Sequence, residues 1–117
     1  MDRPSHKEIS RKLKLAKEAV SGNRISILNP VSVAADTLEL GLNLRNISNI
    51  LSDLLEEIEP NDYAGQYPPQ RSYETEIRES ELLAFRWLSK NLGCKVYLKF
   101  TIKENQLWLV SLHQARK

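Results

Sequence analysis

The sequence predicts an α+β domain, with a helical first half and an antiparallel sheet built from the last third of the chain. Two observations carry this. Before residue 60 the apolar residues recur at helical spacing, whereas residues 95–103 (KVYLKFTIK) alternate strictly between apolar and polar. The two zones are separated by residues 60–73 (PNDYAGQYPPQRSY), which hold three prolines and three tyrosines and read as a loop. The expected architecture is about three helices on one face of an antiparallel sheet of three to five strands.

Residues 5–21 read as an amphipathic helix. Ser5 and Glu8 have capping-box spacing. Ile9, Leu13, Ala16 and Val20 share one side, and Lys7, Arg11 and Lys14 another. Gly22 is the expected left-handed residue that ends it. Residues 24–29 read as a short extended or turning stretch. Pro30 suits a first helical turn, residues 31–40 form a short helix, and Gly41 stops it. Asn43 caps a third helix, whose stripe runs through Leu44, Ile47, Ile50, Leu51, Leu54, Leu55 and Ile58 until Pro60 ends it. The 60–72 loop is expected to be the least protected internal segment. LLAFRWLS then reads as a strand, with a helix over 80–91 as its rival. KVYLKFTIK is a strand presenting Val96, Leu98, Phe100 and Ile102 to the core. Glu104-Asn105 is a turn, and QLWLVSLH is a final strand buried on both faces. Leu98, Phe100, Ile102, Ile47, Leu51 and Leu54 are expected in one core cluster.

A chain of 117 residues fits one domain spanning 1–117 and buries about two-thirds of its unfolded surface. With 41% hydrophobic and 27% charged residues, it is neither disordered nor collagenous. No apolar run approaches the ~18 residues of a spanning helix, and MDRPSHKEISRK lacks the apolar core of a signal peptide. A cytoplasmic protein without membrane contact is therefore expected. Cys94 is the single cysteine, which excludes an internal disulfide. Asp53, Glu56, Glu57 and Glu59 have no histidine or cysteine near them in sequence. They read as a solvated helix end, so neither a metal nor a cofactor is expected. No glycine-rich phosphate loop, nucleophile elbow or zinc-protease motif is present. The net charge of +2 is uneven: residues 1–28 hold seven Lys/Arg against three Asp/Glu, 29–62 one against seven, and 63–117 nine against five. Basic blocks of this kind hold phosphates or form solvated faces.

The chemistry-bearing residues gather at the C-terminal strands. Tyr97 and Lys99 stand two apart on a strand and share a face. RNA cleavage requires a base for the 2′-hydroxyl, an acid for the 5′-oxygen and positive charge on the phosphorane. His113, Tyr97 and Lys99, with Arg86 or Arg116, have the side chains for these roles. Tyr63, Tyr67 and Tyr73, with Arg71, suit the stacking and clamping of single-stranded bases. The alternative is a solvated sheet face with a loop folded onto its own domain.

Strand register separates these readings. A two-residue turn at Glu104-Asn105 pairs Ile102 with Leu107 and Phe100 with Leu109. Continued without interruption, it places Tyr97 opposite Leu112 and turns His113 to the other face. A three-residue turn or a bulge pairs Lys103 with Leu107, Lys99 with Ser111 and Tyr97 with His113. A shared site needs the second arrangement, or a bend that brings His113 around the sheet edge, and the second register is the one expected, although core burial favours the first.

Several segments carry a resemblance. Gly93, Val96-Tyr97-Leu98-Lys99 and Val110-Ser111-Leu112-His113 follow one another as in the C-terminal hairpin of MqsR-type toxins. The basic helix ISRKLKLAKEAVSGN, the segment from Ala35 to Leu42 (ADTLELGL) and Asp62-Tyr63 occur in the family's order. The chain thus resembles MqsR-type mRNA interferases, toxins of toxin–antitoxin modules in the RelE-like superfamily. That resemblance implies a RelE-like fold, metal-independent cleavage of RNA and a cognate antitoxin protein as partner. Of the catalytic candidates Tyr97, Lys99 and His113, only Tyr97 carries over directly from the resemblance; Lys99 and His113 are read from the strands beside it. Arg86, Arg116, Tyr63, Gln66 and Arg71 are the substrate-binding candidates. Three positions depart from the pattern: Ala64-Gly65-Gln66 stands where the family has a loop lysine, the glutamine of the family's next strand has no clear counterpart near Leu82-Leu83, and His113 stands where the family has a final-strand lysine. The alternative is a catalytically inactive relative acting as a protein-binding or regulatory module.

Overall fold

A computed structural model describes residues 6–66 and 69–115. The proposed Ser5 cap, Tyr67 and Arg116 lie outside the described residues. The fold is α+β. Helices α1 (His6–Ser21), α2 (Pro30–Glu39) and α3 (Ile47–Glu57) fill the first half. Strands β2 (Leu83–Ser89), β3 (Cys94–Lys103) and β4 (Gln106–Gln114) fill the last third. A short strand, β1 (Ile25–Ile27), joins the sheet between α1 and α2.

The helices end as their sequences dictate, with one correction. After α1 the left-handed residue is Asn23 (φ 57°), not Gly22. Arg24 N–H reaches the Ala19 carbonyl and Asn23 N–H that of Val20, the paired bonds of a Schellman motif. Asparagine tolerates this conformation, so the turn comes one residue later than the glycine suggested. Gly41 (φ 76°) closes α2 in the same way. Asn43 caps a 3₁₀ turn over Leu44–Asn46, its side chain accepting from Arg45 N–H, and α3 follows directly.

The sheet order is β1-β4-β3-β2. β2, β3 and β4 form the expected antiparallel meander, and the strand reading of residues 83–89 prevails over the helix. The expectation of a purely antiparallel sheet is corrected, because β1 pairs with β4 in parallel. β1 is three residues long, too short to show a period. It is fixed by its flanks: Leu107 N–H donates to the Arg24 carbonyl, Leu28 N–H to that of Leu109, and Arg24 Nε to that of Asn105. Glu104 and Asn105 both have positive φ (53° and 65°). This is the two-residue type I′ turn, whose twist matches the strands it joins.

The helices cover one face of the sheet. Val96, Leu98, Phe100, Leu107, Leu109 and Leu112 are inaccessible there and pack with Ile9, Leu13, Leu51, Leu54 and Leu55. Ile47 and Ile102 join the same cluster, partly buried. The opposite face carries Tyr97 and Lys99 and is roofed in part by Ala64, Gly65, Gln66 and Gln70. The final strand is not buried on both faces as expected; Trp108 and Val110 are only half-buried.

The described residues 60–66 and 69–72 are more structured than their prolines suggest. Glu59 and Asp62 form a reciprocal capping box over the 3₁₀ turn Pro60–Asp62. Tyr63 bridges to Phe85 and Arg71 to Glu81, and Ser72 is buried. Ala64 N–H donates to the Ala84 carbonyl and Ser72 N–H to that of Ser80, so these described parts of the segment are held against β2 and the residues leading into it.

One polar contact ties the helical layer to the sheet. Glu57, at the end of α3, accepts from Trp87 Nε1 at 2.8 Å and from Asn91 N and Nδ2 at 2.8 and 2.6 Å. Burial pulls its pKa up, but the bonds from Trp87, Asn91 and Ser89 outweigh it and leave the group below the ordinary glutamate value. The carboxylate's contribution to stability is therefore complete above the unfolded-state pKa and is lost as pH falls through the lower folded-state pKa. Glu57→Ala is expected to cost about 1–3 kcal/mol at neutral pH, because it strips the buried indole N–H of its acceptor. Urea melts of wild type and variant should converge as the pH is lowered below 4; a constant gap down to pH 2 would refute the assignment.

Candidate functional site

The site is built by an irregularity in β4. From the turn outward the hairpin follows its two-residue register: Lys103 with Gln106, Ile102 with Leu107, Phe100 with Leu109. Between Phe100 and Lys99 the register shifts, and Lys99 pairs with Ser111, Leu98 with Leu112 and Tyr97 with His113. Val110 is the extra residue, unpaired on β3, and marks a β-bulge. The bulge satisfies both demands that the sequence set against each other. Leu107 and Leu109 face the core before it, Leu112 faces the core after it, and His113 still turns toward Tyr97. The expected pairing of Lys103 with Leu107 is corrected, since the turn keeps two residues and the extra one is absorbed further along.

Three strands therefore present one row across the face opposite the helices: Arg86 on β2 beside Tyr97 on β3 beside His113 on β4. The Tyr97 and His113 rings stack with centroids 5.0 Å apart and planes 22° apart. Lys99 lies one step along β3, between Ala84 and Ser111. Burial raises the Tyr97 phenol above its ordinary pKa, against the opposing effect of the Arg86 charge. The group is a neutral proton donor at physiological pH, not a phenolate. His113 Nδ1 lies 2.9 Å from the Gln114 carbonyl oxygen. A carbonyl only accepts, so Nδ1 carries the proton, and in the neutral ring Nε2 holds the lone pair.

Tyr97 and Lys99 form the floor of a cleft of about 250 Å³ whose far wall is Ala64, Gly65, Gln66 and Gln70. Tyr63 holds this wall in place. Its ring packs edge-on against Phe85 with centroids 5.8 Å apart, and its hydroxyl donates to the Gln66 carbonyl at 2.6 Å. A Cβ on Gly65 would stand 2.6 Å from that hydroxyl, so glycine is required by the close approach. Tyr63 is thus a positioning residue for the loop and not a stacking platform. Of the expected substrate-binding residues, Arg86 joins the row and Gln66 lines the cleft. Arg71 lines an adjoining cavity and donates to the Glu79 carbonyl at 3.2 Å. Gln70 was missed by sequence reasoning. It lies in a proline-flanked stretch without periodicity, and only the bond from Leu82 N–H to its carbonyl places it over the sheet.

Deleting Val110 tests the geometry. Removal of the extra residue leaves Leu109 and Ser111 consecutive and restores regular alternation with the same pairings. The variant is expected to fold with the Tyr97 and His113 rings still in contact, read as nuclear Overhauser effects between them. Loss of that contact in a folded variant would mean that the bulge does not set the register.

Among the described residues no group of three or more His, Cys, Asp or Glu gathers as a metal site, and no helix is long and apolar enough to cross a membrane. No family model matches the sequence, and no curated protein matches it.

Proposed function

We propose that the chain is a metal-independent endoribonuclease of the MqsR type, with a RelE-like arrangement of helices and sheet. The observation that supports it best is the cross-strand row Arg86–Tyr97–His113, whose central residue Tyr97 lines a cleft together with Lys99. It combines a base, an acid and cations on one rigid sheet face.

In this reading, His113 Nε2 takes the proton of an RNA 2′-hydroxyl, and the freed oxygen attacks the adjacent phosphorus. Arg86 and Lys99 stabilise the charge on the equatorial oxygens. The P–O5′ bond breaks as the Tyr97 hydroxyl delivers its proton to the departing oxygen. The products are a 2′,3′-cyclic phosphate and a 5′-hydroxyl, so no water and no redox partner is consumed. Burial keeps the Tyr97 phenol protonated, and the Nδ1 tautomer of His113 supports the base role. His113 takes over chemistry that the family's pattern gives to a lysine, and no lysine is needed from the Ala64–Gln66 wall because Lys99 supplies the cation from the floor. A cytoplasmic location and a cognate antitoxin that masks the cleft belong to the same reading.

The test is purified protein incubated with single-stranded RNA in excess EDTA. Fragments ending in cyclic phosphate are expected. Intact RNA, with and without ribosomes present, would overturn the nuclease and favour the protein-binding module.

A further inference from the structure

A second cavity, also about 250 Å³, adjoins the cleft and shares Gln70, Leu82 and Lys99 with it. Its rim carries Tyr73, Arg71 and Asn29. Tyr73 is 89% exposed, although an aromatic residue in a folded domain ordinarily buries most of its surface. It follows Ser72, which is buried and whose backbone bonds to Ser80 and Glu79 on both sides. The ring is therefore carried on a fixed backbone and not on a loose tip. The cavity is below the ~300 Å³ at which pockets enclose drug-sized ligands, a size suited to a single planar ring.

We propose that this cavity is a nucleobase subsite for single-stranded RNA. Tyr73 is its stacking platform and Arg71 its partner for the flanking phosphate. The inference rests on the reading of the adjoining cleft as an RNA site. Three features favour it. Lys99 belongs to both cavities, so one cation serves the phosphate between a base in one and the reacting ribose in the other. Arg71 uses one of its five N–H donors on the Glu79 carbonyl, which fixes the guanidinium at the rim and leaves a fork for phosphate oxygens. The Gln70 and Asn29 amides each offer a donor and an acceptor to a base edge. An exposed tyrosine beside a cationic groove is the general device by which single-stranded nucleic acid is held.

The experiment measures binding apart from cleavage, using wild-type protein and a 2′-O-methyl oligoadenylate, which lacks the nucleophile. The oligomer carries one 2-aminopurine; an abasic oligomer of equal length is the control. Tyr73→Ala is expected to raise the Kd for the base-bearing oligomer about 5- to 100-fold, the effect of losing one stacked base. It should abolish 2-aminopurine quenching and leave the abasic oligomer unaffected, and Tyr73→Trp should restore binding. Equal binding of the base-bearing oligomer by wild type and Tyr73→Ala would overturn the subsite. Equal affinity of wild type for base-bearing and abasic oligomers would also overturn it, leaving a phosphate groove alone. If wild type bound neither oligomer, the subsite and the RNA reading of the cleft would fall together. Tyr73-dependent binding with no cleavage of ordinary RNA would uphold the subsite and remove the nuclease.

Discussion

Tyr97→Phe and His113→Ala are each expected to lower RNA cleavage by about 10²- to 10⁴-fold, the usual contribution of a positioned acid or base, while the fold stays intact. Tyr97→Phe removes one oxygen and keeps the ring that stacks on His113. Its effect on melting should be small, because the stacked ring is kept and the residue is only half-buried. His113 is half-buried near the end of β4, away from the inaccessible core residues. The two losses should not add: once the proton acceptor is gone, the donor has little left to assist, so the double variant should resemble the slower single one. The measurement is single-turnover cleavage in EDTA beside a denaturant melt. A Tyr97→Phe variant that cleaves at the wild-type rate would remove the phenol from the mechanism, whatever His113→Ala does.

Phe100→Ala is expected to cost about 3–5 kcal/mol, the range for deleting a buried phenylalanine. Phe100 is inaccessible and lies in the middle of the sheet, paired with Leu83 on one side and Leu109 on the other. Its ring stacks on Phe85 with centroids 5.8 Å apart and planes 14° apart. Truncation opens a void between the helical layer and the sheet, and the flanking β-strands cannot close it without breaking their ladder. Its position beside the bulge gives a second readout. If the large ring anchors the register on the turn side of Val110, the variant should show weakened amide protection in β4 on both sides of that residue. A urea midpoint equal to that of wild type would mean that the alternation of β3 had been assigned to the wrong face.

Much of this fold is legible in the amino-acid sequence, because its elements have strong periods. The stripe of α1 through Ile9, Leu13, Ala16 and Val20 and the alternation of Val96, Leu98 and Phe100 set both elements and their buried faces, and all seven residues are in the core cluster. Local stops were legible too: Gly41 and the Glu104-Asn105 turn act within a few residues, where backbone sterics decide. Asn23 shows the limit of that reasoning, since glycine and asparagine in succession both accept a positive φ and the hydrogen bonds choose between them.

The candidate site was legible as a set of residue types but not as a place. Tyr97 and Lys99 share a face by their spacing alone. Their relation to His113 depended on a single unpaired residue in β4, and the local sequence Leu109-Val110-Ser111 carries no bulge signal. The cost of burying Leu107, Leu109 and Leu112 together, against Phe100 and Leu98 on the neighbouring strand, forces the extra residue to be absorbed at Val110. Likewise Ile25–Ile27 becomes a strand only because the edge of β4 is there to receive it. The proline-rich segment becomes a wall because Tyr63 finds Phe85 and leaves room for Gly65. Periodicity and turn chemistry are local energies and can be read along the chain. Register between strands distant in sequence, and the cleft that register shapes, follow from packing many side chains at once, and only the tertiary structure decides them.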